Sequence, residues 1–212
     1  MIKISPGFSL IEMAVVLIII GLLMGGLLSP LSASLSLHKI KLTQERLEEI
    51  KEALLGFVLI NERLPCPASD KNGIALDMSE TENCKKEGYL PWAELGVGRY
   101  DAWGNPFRYR VEEEYTNTTT IIVPIPASDL RVKNRQDNYL TNKSDDSRVV
   151  AIIFSYGQNG QAEEDNKTVS NLYIQDGYIE NQFDDVLTWI SRNTLMNRLI
   201  IAGKWPLGPP PP

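Results

Sequence analysis

The hydrophobic pattern divides the chain into stretches of different period. From Phe8 to Leu28 the sequence FSLIEMAVVLIIIGLLMGGLL is apolar on every face, with Glu12 its one charge. As a helix it extends about 30 Å, the thickness of a bilayer's hydrocarbon core, so it is expected to insert in a membrane. Gly21, Gly25, Gly26 and Pro30 weaken it, because each glycine costs about 1 kcal/mol relative to alanine and proline removes a backbone donor. A kink or melted stretch is expected there; the same small residues would also let neighbouring helices approach closely. Beyond Pro30 the period changes. Ile40, Leu47, Ile50, Leu54, Phe57 and Val58 recur at helical spacing, while Lys39, Lys41, Glu45, Glu48, Glu49 and Glu52 take the other faces. This amphipathic helix either lays its stripe on a sheet or lends it to other copies of the chain, and Leu64-Pro65 ends it.

After the helix the pattern becomes that of strands. Phe107–Val111, Thr118–Val123 and Arg148–Tyr156 carry branched and aromatic residues between Asn-, Pro- and Asp-rich connections, which predicts an antiparallel sheet. The fold class is therefore α+β, a long N-terminal helix packed on an antiparallel sheet. Asp101-Ala102-Trp103-Gly104-Asn105-Pro106 reads as a turn in which Asp101 and Asn105 bond local amides and Trp103 fills the core beneath. Sugar stacking is the other role open to Trp92 and Trp103. Leu130–Asp146 is polar and aperiodic, a surface loop whose Arg131, Lys133 and Arg135 form a local basic cluster. Leu195, Leu199, Ile200 and Ile201 form a last apolar element that needs the core, and Gly208–Pro212 is a polyproline tail. The expected organisation is a leader at 1–7, an apolar helix at 8–29, an amphipathic helix at 30–63, a globular head at 64–207 and the tail at 208–212.

Composition narrows the function. The chain has 212 residues, 27 acidic against 21 basic, for a net charge of -6. That balance disfavours nucleic acid as a partner. Its single histidine, His38, lies on the amphipathic helix, which removes a histidine-based triad or multi-histidine metal site from the head. There is no G-x-S-x-G and no phosphate-binding glycine loop. The reading is not an enzyme. Cys66 and Cys84 belong to no C-x-x-C pair, so metal and thiol-redox readings are weak.

Glu12 carries the most information. An unpaired carboxylate inside hydrocarbon costs on the order of 3 kcal/mol, and its own helix offers no basic residue. The preceding leader MIKISPG carries Lys3 and ends in Gly7; cleavage after Gly7 would create an amine on Phe8, close enough to pair with Glu12 of the same or a neighbouring copy. Gly7-Phe8-Ser9-Leu10-Ile11-Glu12 resembles the processing motif of type IV pilins and type II secretion pseudopilins. The resemblance implies that a prepilin peptidase cuts after Gly7 and methylates Phe8, and that Glu12 pairs with the amine of an adjacent subunit. Its further implications are a filament of pilin or pseudopilin subunits, an inner-membrane assembly platform and a lipid bilayer as partners. The chain would be single-pass in the bacterial inner membrane, with a cytoplasmic N-terminus and a periplasmic head. That compartment permits a Cys66–Cys84 disulfide.

Two head segments carry a second likeness. Asp101–Pro106 resembles the D-x-W-G-N-P signature of pseudopilin heads, and Ser155–Asn166 followed by Phe183-Asp184-Asp185 resembles the loop order of major pseudopilins. The likeness implies a calcium site with Asp184 and Asp185 as ligands and Asn159 as a weaker one, hard oxygen donors suited to that ion. The other reading is that Asp184 or Asp185 caps a helix beginning near Val186. A minor pilin binding DNA, a surface glycan or a secreted protein at the filament tip, with the Leu130–Asp146 loop as its surface, is the alternative function; a membrane-anchored periplasmic protein is a third.

Overall fold

The computed structural model describes residues 7, 9–75, 84, 86–117, 128–142, 147–167, 169–179 and 182–204, without the side chains of 24–33. The leader before Gly7, Phe8, the expected strand Thr118–Val123 and the polyproline tail lie outside these residues. The chain forms two compact units, Met1–Lys39 and Ile40–Pro212.

Helix α1 spans Leu10–Asn61. Its backbone is helical through Gly21, Gly25, Gly26 and Pro30, so the expected melted stretch is absent. The physical reason is that proline removes one hydrogen bond, at about 3 kcal/mol. Melting a turn in apolar surroundings would strand several backbone groups at several kcal/mol each. In the first unit, apolar side chains stand exposed around the helix, among them Leu10, Ile11, Leu17 and Leu22. Among the described residues no helix is long and apolar enough to cross a membrane; the block expected to do so, 8–28, lies partly outside them.

The second unit begins with the amphipathic part of α1. Thr43, Leu47, Ile50, Leu54, Leu55 and Val58 are buried. Phe57, expected in that stripe, is half-buried and lies under the Arg63 guanidinium. The helix ends at Asn61 because Glu62 takes a left-handed conformation (φ 56°), slightly before Leu64-Pro65.

Strands β1 (Glu87–Tyr89), β2 (Arg108–Val111), β4 (Val149–Ser155) and β6 (Val186–Ser191) form an antiparallel sheet in the order β1-β2-β4-β6. Every residue of β4 is buried, as a central strand covered on both faces requires. On one face Leu47, Leu54 and Val58 of α1 pack with Tyr109, Ile153 and Ile190, and helix α3 (Arg192–Ile201) adds Leu195 and Leu199. Ile200 and Ile201, expected in the core, are exposed. On the other face Val132, Ile152, Phe154 and Tyr173 form a second core.

That second core accounts for one difference from the sequence reading. Leu130–Asp146 is not all loop: Arg131–Lys133 forms β3, parallel to β5 (Leu172–Ile174), with Leu130 and Val132 buried. Two apolar residues in a polar stretch suffice when a neighbouring sheet face needs a cover. A short helix, α2 (Trp92–Leu95), closes on the left-handed Gly96.

Candidate functional site

Gly7 lies ahead of the first turn of α1, and a Cβ built on it meets nothing within 4 Å. Ser9 caps the helix: its hydroxyl accepts from the Glu12 amide at 3.3 Å, and its carbonyl accepts from Met13 at 3.2 Å. Glu12 is exposed in the first turn of α1, where a carboxylate complements the helix dipole. Among the described residues no cation pairs with it. Phe8 lies outside the description.

Cys66 and Cys84 are joined by a disulfide, with Cα atoms 5.4 Å apart and both cysteines buried. The neighbouring segment is held by Trp92, whose indole N–H donates to the Lys71 carbonyl at 3.1 Å. Trp92 lies half-buried at the edge of the α1-facing core. Trp103 is half-buried and joins neither core, a correction to its expected place. The turn is fixed instead by its carboxylate. Asp101 Oδ1 accepts from the amides of Trp103 at 2.9 Å and Asn105 at 2.8 Å, and Asp101 Oδ2 accepts from the Ser155 hydroxyl at 2.6 Å.

The second cluster forms where the loop after β4 meets the start of β6. Glu163, Asp184 and Asp185 bring one carboxylate oxygen each to within 4.8 Å of the others. Asp184 and Asp185 do not cap a helix, since Val186–Ser191 is strand and the hydroxyl of Ser191 caps α3. The branched and aromatic residues of VLTWIS favour pairing with β4 over a helical turn. Glu163 Oε2 accepts from the amides of Asp184 (2.9 Å) and Asp185 (3.2 Å). Asp184 Oδ2 accepts from the Asn159 amide (2.8 Å); Asp185 Oδ2 accepts from the Glu163 amide and Asn166 Nδ2, each at 2.9 Å. The remaining oxygens, Asp184 Oδ1 and Asp185 Oδ1, are buried without a hydrogen-bond partner.

Burial pushes the Asp184 carboxyl up to about 6, with a further rise from its hydrogen bond to Glu163. Burial likewise pushes Asp185 up to about 7, with the charges of Glu163 and Asp184 adding to the rise. Orphaned buried acceptors cost free energy, and like charges at this spacing repel. Hard oxygen donors with spare lone pairs are the set a calcium ion takes, so the residues fit that ion. Asn159 is exposed and its side chain is already committed: Nδ2 donates to Glu163 Oε1 at 2.5 Å and Oδ1 accepts from the Gln161 amide at 2.6 Å. Glu163 is the member the sequence reading missed. It sits in the run Glu163-Glu164-Asp165, whose other two carboxylates pair outward with Arg135 and Lys133.

The basic cluster of the Leu130–Asp146 segment has partners within the head. Lys133 bridges Asp137 (2.9 Å) and Asp165 (3.0 Å), Arg135 meets Glu164 at 2.7 Å, and Arg131 stacks on Tyr139. Neither curated proteins nor solved structures give a match to this chain. Residues 3–28, which include Gly7, Phe8 and Glu12, match the family described as the prokaryotic N-terminal methylation motif: the chain carries the prepilin-type motif of type IV pilins and pseudopilins.

Proposed function

We propose that this chain is a pseudopilin or minor pilin, a structural subunit of a type II secretion or type IV pilus filament. Prepilin peptidase cuts after Gly7 and methylates Phe8; the apolar helix then anchors the chain in the inner membrane with the head in the periplasm. Assembly on an inner-membrane platform places Glu12 against the Phe8 amine of an adjacent subunit. The methylation motif at residues 3–28 carries this reading. Apolar side chains exposed around α1 in the first unit support it, since a helix apolar on every face is stable only when lipid or other helices cover it. The role is architectural and not catalytic.

The reading extends to the head as a calcium site at Glu163, Asp184 and Asp185, with Asn159 orienting Glu163 and Asp184 from outside the ligand set. A bound calcium would neutralise the three carboxylates and fasten the loop after β4 to β6. The tip-binding alternative gains no support from Arg131, Lys133 and Arg135, whose contacts are met within the head.

The test is the intact mass and N-terminal sequence of membrane-extracted protein, expressed with and without a prepilin peptidase. A mature chain starting at methylated Phe8 only when the peptidase is present is the expected result. Retention of Met1, or a cut beyond the apolar block, would overturn the filament-subunit reading in favour of an anchored or secreted periplasmic protein.

A further inference from the structure

The Asp101–Asn105 turn and the carboxylate cluster are far apart in sequence, yet one side chain joins them. Asn105 Nδ2 donates to the Gly157 carbonyl at 2.6 Å. Gly157 is in turn held by the hydroxyl of Ser155, which accepts from its amide at 3.0 Å while donating to Asp101. Gly157 has φ +56°, and a Cβ there would stand 2.1 Å from the Asp184 carbonyl oxygen and 2.7 Å from the Asp184 carboxyl carbon. The loop backbone therefore lies against Asp184. Gly160 meets the same asparagine from the other side of the loop: its φ is +67°, and a Cβ there would stand 2.9 Å from Asn105 Oδ1. Between these two glycines lies Asn159, whose amide donates to Asp184 Oδ2.

We infer that Asn105 is a positioning residue for a divalent cation held by Glu163, Asp184 and Asp185. The inference rests on the cation reading above and deepens it. Asn105 touches no proposed ligand; it fixes the Gly157–Gly160 backbone, and that backbone fixes the rotamer of Asp184 and the approach of Glu163. Asp101 acts one step further back, since its carboxylate holds both the Asn105 amide and Ser155. The turn is itself tied to α1: the Ala102 amide donates to Thr43 Oγ1 at 3.2 Å, and Arg46 Nη1 donates to the Tyr100 carbonyl at 2.9 Å. The loop thus hangs from the helix and not from the sheet alone. The D-A-W-G-N-P turn then has a use beyond reversing the chain.

The experiment is calcium chloride titration, by calorimetry, of the full-length protein in detergent micelles. Wild type, Asn105→Ala and the core control Leu54→Ala are compared, and the melting temperature of each is recorded without calcium. Loss of a group that orients ligands from outside the site typically weakens metal binding about 10- to 100-fold, and that is the loss expected for Asn105→Ala. Leu54→Ala is expected to melt lower and bind calcium as wild type does, which separates positioning from general destabilisation. If Asn105→Ala does not accumulate, Asn105→Ser, too short to reach Gly157, takes its place with the same expectation. Calcium binding by Asn105→Ala equal to wild type overturns the positioning role alone. No binding by wild type overturns the cation reading and this inference with it.

Discussion

Raising the pH in the presence of a chelator should destabilise the head, and calcium should reverse the trend. Asp185 is raised from its usual 3.8 to about 7, and Asp184 to about 6. Both folded values lie above the unfolded ones, so the native state holds more protons across that interval. The stability they contribute is complete below about pH 4 and is lost as pH rises through 6 and 7. The charge of Asp184 adds to the rise at Asp185, so their effects do not simply add. Between pH 5 and pH 7, one extra proton held over about two pH units is on the order of 3 kcal/mol. For a chain of this size each kcal/mol moves the melting temperature by about 2–4 °C, so the expected fall is about 6–12 °C.

In the proposed site calcium would bind the ionised carboxylates, so its effect should have the opposite pH dependence. At free calcium about 100 times the dissociation constant, binding stabilises the native state by about 2.7 kcal/mol, and more of that is realised at pH 7.5 than at pH 5. The assay is thermal unfolding of the full-length protein in detergent, followed by tryptophan fluorescence, from pH 5 to pH 7.5 with EDTA or with calcium. A melting temperature that is flat or rising from pH 5 to pH 7 in EDTA would refute the account of Asp184 and Asp185 as buried, under-satisfied carboxylates. A calcium shift as large at pH 5 as at pH 7.5 would place the ion elsewhere.

Asp185→Asn should raise the calcium-free melting temperature at pH 7.5 and abolish the calcium response, because it removes one of the crowded charges while keeping an acceptor for Glu163 and Asn166; paired melts with and without calcium check both effects. Leu54→Ala, at a fully buried position between α1 and the sheet, should cost about 2–5 kcal/mol, read from urea unfolding with an unchanged m-value. Reducing the Cys66–Cys84 bond, which spans a sequence separation of 18, should cost about 3 kcal/mol; alkylation followed by intact mass would establish the redox state of the sample being melted.

The parts of this fold that were legible in the sequence were those with a strong period or a specific spacing. The stripe from Leu47 to Val58 announced the helix face, and the branched run at Arg148–Tyr156 announced the central strand. Val186–Ile190 was harder, because a short apolar run following two aspartates fits a capped helix as well as a strand; pairing with β4 decides it, and that partner is remote in sequence. The strand at Arg131–Lys133 had no local signal, since its burial depends on a sheet face that needs covering. For the carboxylate cluster, the likeness to the loop order of major pseudopilins made Asp184 and Asp185 visible. Glu163 could not be told from Glu164 and Asp165 without knowing which way the loop after β4 folds back onto β6.

The two ends of α1 draw their stability from different sources. Leu47, Leu54 and Val58 are buried by the chain's own sheet, so the head's core is internal. Leu10, Ile11 and Leu17 stand exposed, and their burial in the proposed filament must come from lipid and from other copies. Apolar contacts of that kind are non-directional and tolerate many registers between helices. Glu12 is what would restrict them. A carboxylate among apolar neighbours costs on the order of 3 kcal/mol unless a cation meets it, and the Phe8 amine freed by cleavage is the proposed cation. Any register that fails to bring the two together carries that cost at every subunit, while the correct one removes it. Cleavage after Gly7 would then do more than remove a leader: it would create the one charge that lets these helices distinguish one register from the next.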